Sequence, residues 1–470
     1  MRKTIIGAGL IALGLGLSAA TPSLADPPTL PLLAVGVLDS SRAGNFADLS
    51  GLTYNLENNV RANELGGLGS GLAYANGNTF LALPDRGPNA VPFDSNIDDT
   101  VSYINRFQTV TMNLTPNNTP GLPFILTPKL QATTLLWSLT PLSYGEGGDG
   151  IVGSGKPPLN NFFFHFLTGR SDGFGPGNSG NPKDARFDTE GIRLSNDGLR
   201  VYISDEYGPY VYEFDRILGV RLRSFTLPSS FYVQNLSAMG ANEMSPFNTS
   251  GRVANKGMEG LAITPDGRTL VGIMQNSLIQ DAALGGSAAK MLRIVTIDLP
   301  SGHVTHQYAY LLSDGSGVSE ICALNNHEFL VDERDGKGRG DGSKAKFKEL
   351  WKIDLNTATD VSAMNGTDAA ANAVGKTLFV DLVASLKPFF ATDQIPAKIE
   401  GVAFGPDVKT GNSTLHTLWI ANDNDFLEMV ADDSEPPVMV ANPNQFFVFG
   451  FTASDLGGSQ FVPQQFHGLF

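Results

Sequence analysis

The stretch TEGIRLSNDGLRVYISDEYGP, Thr189 to Pro209, decides the fold. An acidic residue and Gly open an apolar run, Asn196-Asp197-Gly198 supplies a tight turn, and a second apolar run ends in Asp205-Glu206. Short runs of β-branched and aromatic residues around such a turn read as a two-stranded hairpin. The phrase recurs as SGLAYANGNTFLALPDRGP (Ser70–Pro88), MEGLAITPDGRTLVGIMQN (Met258–Asn276), SEICALNNHEFLVDERDG (Ser319–Gly336) and IEGVAFGPDVKTGNSTLHTLWIANDNDF (Ile399–Phe426). In an antiparallel hairpin the start of the first strand lies beside the end of the second. Glu190 is therefore expected near Asp205 and Glu206, and Glu400 near Asn422 to Asp425. Hairpins set around one axis would gather these carboxylates at one mouth.

The copies recur at roughly 60 to 80 residues, longer than the roughly 40–50 of compact propeller blades. The surplus lies in Gly-, Asn- and Ser-rich stretches that read as loops. More strand-like sequence follows each hairpin, as at Tyr210–Asp215, Met291–Leu299 and Leu350–Leu355, giving about four strands per unit. The predicted fold is all-β: one β-propeller domain over residues 26–470 with four-stranded blades, six rather than seven. Leu32–Val37 and Gln445–Phe451 are both strand-like and are predicted to share a blade and close the ring. Leu114–Leu142 mixes apolar residues with Pro and Thr and has no clear place in this pattern. Arg334–Lys348 reads as an exposed basic loop, and Asn356–Gly375 as a loop with a short helix.

The N-terminus reads as a secretory signal over residues 1–25. Arg2 and Lys3 precede the apolar Ile5–Leu17, and Ser23-Leu24-Ala25 is a small-x-small cleavage site. The mature chain is expected to be exported, to the periplasm or the medium, without membrane insertion. The formal charge of −15 argues against nucleic acid or anionic membranes as partners and suits solubility or cation binding. Cys322 is the single cysteine, so neither an intramolecular disulfide nor a cysteine zinc cluster can form. Flanked by Ile321 and Ala323, it reads as a buried apolar residue.

The acidic ring is the main chemical feature. Its metal-ligating candidates are Asp85, Glu190, Asp205, Glu206, Glu259, Glu320, Glu400, Asp423 and Asp425, with Asp332 and Glu333 nearby. Ca²⁺ and similar hard cations take six to eight oxygen ligands, and such a rim supplies them. Crowded carboxylates also raise one another's pKa, a cost that a cation relieves. Basic residues interleave with the acids at Arg86, Lys256, Arg334 and Lys398, as a phosphate or carboxylate ligand would require. Backbone-bonded acids and salt bridges at hairpin ends are the structural alternative for each residue. No nucleophile elbow or H-E-x-x-H motif occurs. The Gly-rich stretch 145–156 lacks the strand–helix context of a nucleotide loop.

Taken in order, several short motifs resemble the phytase-like family, exported bacterial and plant proteins whose domain is called esterase-like activity of phytase. They are Leu83-Pro84-Asp85-Arg86-Gly87-Pro88, Thr189-Glu190-Gly191-Ile192, Ser204-Asp205-Glu206-Tyr207-Gly208-Pro209, Met258-Glu259-Gly260-Leu261 and Ser319-Glu320-Ile321. Glu333-Arg334-Asp335, Lys398-Ile399-Glu400-Gly401 and Asn422-Asp423-Asn424-Asp425-Phe426 continue the series. The resemblance implies a propeller that hydrolyses phosphomonoesters or carboxylic esters. Ser70 departs from the pattern, standing where later copies have Glu. On the residues themselves, the expected chemistry is metal-assisted. Glu190, Glu259 or Glu400 would activate water beside a Ca²⁺-like cation, and Arg86, Lys256 or Arg334 would stabilise the developing anion. A non-catalytic Ca²⁺-stabilised binding module and a lactonase-type hydrolase are the alternatives.

Overall fold

The computed structural model describes residues 26–38, 46–89, 100–145, 155–171, 177–208, 210–237, 240–313, 315 and 317–467. The signal-peptide reading falls outside them, as does most of the Gly-rich stretch 145–156.

Five four-stranded antiparallel sheets form five blades, not the six expected. From the axis outward, blade one is Gly71–Asn76, Thr79–Leu83, Arg106–Pro116 and Phe124–Leu135. Blade two is Thr189–Leu194, Arg200–Asp205, Val211–Asp215 and Arg221–Phe225. Blade three is Met258–Ile263, Thr269–Met274, Met291–Asp298 and His303–Leu311. Blade four is Gly317–Ala323, Glu328–Arg334, Lys348–Asp354 and Lys376–Asp381. Blade five is Ile399–Thr410, Ser413–Asn422 and Asn444–Phe451, completed at its outer edge by Leu32–Leu38. Pairing of Val35 with Phe447 and Val37 with Gln445 closes the ring, as the terminal strands predicted.

The overcount arises between Ser70 and Glu190. That interval holds one blade whose outer strands, Arg106–Pro116 and Phe124–Leu135, form a long hairpin through the stretch that had no clear place. An excursion follows, with a two-stranded ribbon of Trp137–Ser138 and His165–Phe166. The short helix Gly366–Ala371 lies in the predicted loop, between the third and fourth strands of blade four.

Successive strand residues face opposite blades. Leu261 packs towards blade two, and its neighbour Ala262 packs towards blade four. Leu72 and Ala73 divide in the same way. Each large apolar side chain fully buried between blades, such as Leu72 or Leu261, contributes about 1.5–3 kcal/mol.

The inner strands come very close. A Cβ on Gly71 would lie 2.4 Å from the Glu190 carbonyl oxygen, and one on Gly191 would lie 2.7 Å from the Leu261 nitrogen. Gly260 meets Ile321 and Gly401 meets Gly69 in the same manner. The Gly of the repeated phrase is thus a packing requirement of a narrow ring.

Candidate active site at the acidic mouth

Each acidic-Gly start carries an irregularity of register. Shifts fall between Thr189 and Ile192, Met258 and Gly260, Val318 and Glu320, and Ile399 and Gly401. A bulge turns one side chain out of strict alternation. Here it falls at Glu190, Glu259 and Glu400, but in blade four at Ser319 rather than at Glu320, which stays paired with Asp332.

Three of these four glutamates line one cavity of about 860 Å³ at the hairpin-end mouth, together with Ser70, Asp85, Arg86, Glu206, Lys256, Gln275, Arg334, Lys398, Asp423 and Asp425. Every blade contributes. Most of these acids are buried: Glu190 is 8% exposed, Glu206 2%, Glu259 3% and Glu400 4%.

Cations join most neighbouring hairpin ends. The Arg86 guanidinium lies 3.1 Å from Asp188, linking blades one and two. Arg334 pairs with Glu400 and donates to Ser319 Oγ, linking blades four and five. Lys398 lies 3.0 Å from Asp423 and pairs with Asp425. Burial alone would lower the Lys398 pKa, but Asp423 and Asp425 drive it well above its ordinary value. Burial, then Asp423, raises the Asp85 carboxyl well above the usual range.

Blades two and three meet differently. Asp188, Glu190 and Glu206 place a carboxylate oxygen each within 4.8 Å of one another. Glu206 accepts from the Gly257 N–H at 2.9 Å. Glu206 and Gln275 both reach Glu259 with a side-chain hydrogen bond, yet Glu259 Oε2 has no partner among the described residues. Burial, then the charges of Glu259, Asp188 and Glu206, drives the Glu190 pKa well above normal. Burial, then Glu400, pushes Glu259 up to about 8. Lys256 follows on the chain, but it is exposed at the rim.

Two predicted ligands lie elsewhere. Asp205 is fully buried and accepts backbone N–H groups from Asp188, Tyr207 and Gly208 at 3.0–3.1 Å. It fixes the turn that carries Glu206, because its place in the strand aims it away from the cavity. Glu320 is also fully buried. It accepts from the Leu261 and Ile321 N–H groups and lies 2.9 Å from Arg193. Asp332 and Glu333 do not line the mouth either. Glu333 instead accepts from Tyr310 and Lys376 between blades three and four. Lys348, expected in an exposed stretch, is fully buried and donates to the Ala397 carbonyl. Cys322 is buried, and burial pushes its thiol up to about 11.

Arg193 and Asp188 escaped the sequence reading. Arg193 donates to the carbonyls of Leu72, Ile192, Ile321 and Val402, which belong to four different blades. It crosses the axis beneath the cavity and closes it from below. The signal was an arginine inside an otherwise apolar inner strand. For Asp188 it was an acid two residues before Glu190, in phase with it along a strand.

Below Arg193 the opposite mouth is covered by the segment 461–467. Val462 donates its N–H to Leu324, Gln464 its side chain to Leu194, and His467 its N–H to Asn196. Among the described residues, the acidic cavity therefore opens at the hairpin-end mouth while the far end of the axis is covered.

Fold and site define a five-bladed propeller with a blind, carboxylate-rich pocket. A family model for phytase-like proteins, described as esterase-like activity of phytase, matches residues 63–426, and the chain belongs to that family. An uncharacterized secreted protein of Arthroderma benhamiae is 29% identical over 305 residues, 57% of this chain and 56% of that relative. The match thus spans little more than half of the relative's length. Among solved structures, the PQQ-bound aldose sugar dehydrogenase of Streptomyces coelicolor is 11% identical, with a TM-score of 0.32 over 90% of this chain and 96% of that one. Hydrazine synthase of Kuenenia stuttgartiensis is 13% identical, with a TM-score of 0.30 over 76% of this chain and 78% of that one. Likeness of that degree carries no chemistry to this chain. No helix among the described residues is long and apolar enough to cross a membrane.

Proposed function

We propose that this chain is an exported hydrolase of small phosphomonoesters or carboxylic esters, working in the blind acidic pocket. The observation that carries this reading is the buried Glu259, its carboxyl raised to about 8, lining a cavity that also presents Arg334, Arg86 and Lys398. A cavity-lining carboxyl group with a pKa near neutrality is suited to exchange a proton with water. Glu190 is less suited because like charges crowd it, and Glu400 because Arg334 already holds it. Arg334 stands beside both Glu400 and Glu259 and stabilises negative charge developing on the ester. Lys256, exposed at the rim, meets an anionic group as it enters. Membership of the phytase-like family supports the reaction class. The donor set around Glu190 and Glu206 consists of carboxylates only and fits a hard divalent cation of the Ca²⁺ type. When bound, such a cation supplies Lewis-acid polarisation and a more acidic water.

The test is turnover of p-nitrophenyl phosphate, phytate, p-nitrophenyl acetate and a simple lactone by the purified chain, with Ca²⁺ and with EDTA. Turnover of a phosphate or acyl ester that falls in Glu259→Gln supports the reading. Turnover of the lactone alone would move the reaction class. Inertness on every substrate would overturn the enzymatic reading in favour of a binding module.

A further inference from the structure

The segment 461–467 crosses the far end of the axis and meets every blade. The Val462 N–H donates to the Leu324 carbonyl in the turn of blade four at 2.8 Å. The Gln465 N–H donates to Pro265 in the turn of blade three at 3.3 Å, and the His467 N–H to Asn196 in the turn of blade two at 2.7 Å. Gln464 adds a side-chain bond to the Leu194 carbonyl at 2.7 Å. Two rings complete the set. Phe461 packs on Phe404 of blade five with ring centroids 4.6 Å apart, and Phe466 on Tyr74 of blade one at 5.9 Å.

This grip differs from the one that holds the blades together. Residues 461–467 form neither strand nor helix, and none of them is buried. Val462, Gln464 and Phe466 are half-buried, while Pro463, Gln465 and His467 are exposed. Such alternation marks an extended chain laid on a surface with one side down. Beneath it lies a small cavity of about 80 Å³, lined by Tyr74, Ile263, Cys322 and Phe404, with Phe461 and Pro463 forming part of its wall. The root of the segment is fixed: Lys352 Nζ donates to the Leu456 carbonyl at 2.6 Å and to Ser459 Oγ at 2.5 Å. Beyond that root the contacts are few and lie near solvent, the condition under which a segment opens without the core.

We infer that the face opposite the acidic mouth is a peptide-binding site, filled in cis by the C-terminal segment as a releasable strap. The peptide it takes is extended and carries two aromatic residues five positions apart, with a glutamine three positions after the first. Backbone bonds from the segment to the blade turns set its position, and alternate side chains facing down are read by the surface, as in other sites for extended segments. A tethered strap acts at a high effective concentration, so a free peptide gains the face only when the strap is loosened. The site lies at the other end of the axis from the acidic pocket and stands whether or not that pocket hydrolyses esters.

The experiment uses the full chain carrying Phe461→Ala/Phe466→Ala and a fluorescein-labelled peptide of residues 459–467. Fluorescence anisotropy should show one peptide per variant chain, bound at least about 10-fold more tightly than by wild type, as the loss of two aromatic anchors from the strap implies. A peptide with both Phe residues replaced by Ala should bind the variant correspondingly more weakly. No binding to the variant, equal affinity for variant and wild type, or equal affinity for the two peptides overturns the site. Hydrogen exchange on the wild-type chain is the second measurement, so a variant that fails to fold does not remove the test. The Val462 and His467 amides should exchange more slowly than in the free peptide but faster than amides of the inner strands. Exchange at the rate of the free peptide would show that the segment does not dock, and exchange together with the blades would show that it is not released; either overturns the inference.

Discussion

Glu320 lies 2.9 Å from the Arg193 guanidinium on the propeller axis, and together the two side chains tie all five inner strands. Arg193 reaches the carbonyls of Leu72, Ile192, Ile321 and Val402, and Glu320 adds the N–H of Leu261. Removing one member strands the other charge in a buried place, at a cost of about 3–5 kcal/mol. Arg193→Met should therefore lower the midpoint of urea unfolding sharply. An unchanged midpoint would show that the axis is held by other contacts.

Glu320 also sets a pH dependence. Burial, opposed by Arg193, raises its carboxyl from 4.5 to about 7. The folded state then binds the proton more tightly than the unfolded chain. Its contribution to stability is complete below pH 4.5 and is lost as pH rises through 7. Glu320→Gln keeps an acceptor for Leu261 and Ile321 and cannot titrate. The difference in unfolding free energy between wild type and variant should shift over that window and be level outside it. Chemical denaturation at a series of pH values checks this, and a flat difference would refute it.

Glu259→Gln should lower ester hydrolysis by at least about 10²-fold, the usual contribution of a positioned base. Thermal stability should hold or rise, because the substitution removes a titratable carboxyl that burial and the charge of Glu400 disfavour. Steady-state rates beside a melting curve separate this outcome from simple unfolding.

Gly191→Ala should cost about 1–3 kcal/mol, since its Cβ would press on the Leu261 nitrogen at 2.7 Å, which belongs to the next blade's backbone. Gly336→Ala is the control. Nothing lies within 4 Å of its Cβ, and a change within about 0.5 kcal/mol is expected. Equal melting temperatures for the two variants would contradict the tight-ring account.

How much of this was legible in the sequence follows from period and phase. The two-residue alternation and the Asp-Gly turns placed Glu190, Glu206, Glu259, Glu400, Asp423 and Asp425 at one mouth. Asp205 and Glu320 carried the same local pattern and went elsewhere. Whether a carboxylate meets solvent or a backbone N–H is decided by a neighbouring blade, which strand periodicity does not encode. Blade number was hidden for a similar reason. The long Arg106–Leu135 hairpin and the excursion after it lengthen one unit without adding another, and only pairing of Leu32–Leu38 with Asn444–Phe451 shows where the ring ends. Arg193 was visible as an anomaly in TEGIRL, but three of its four acceptors, Leu72, Ile321 and Val402, lie on inner strands 121, 128 and 209 residues away in sequence.

That last pairing has a temporal side. The outer edge of blade five is built from Leu32–Leu38, among the earliest residues of the chain to emerge in synthesis, against a partner that emerges near the end. Until then the early strand has no edge to join, and the circle stays open. Closing the circle therefore requires contact between the two far ends of the described chain, and loosening either strand would reopen it.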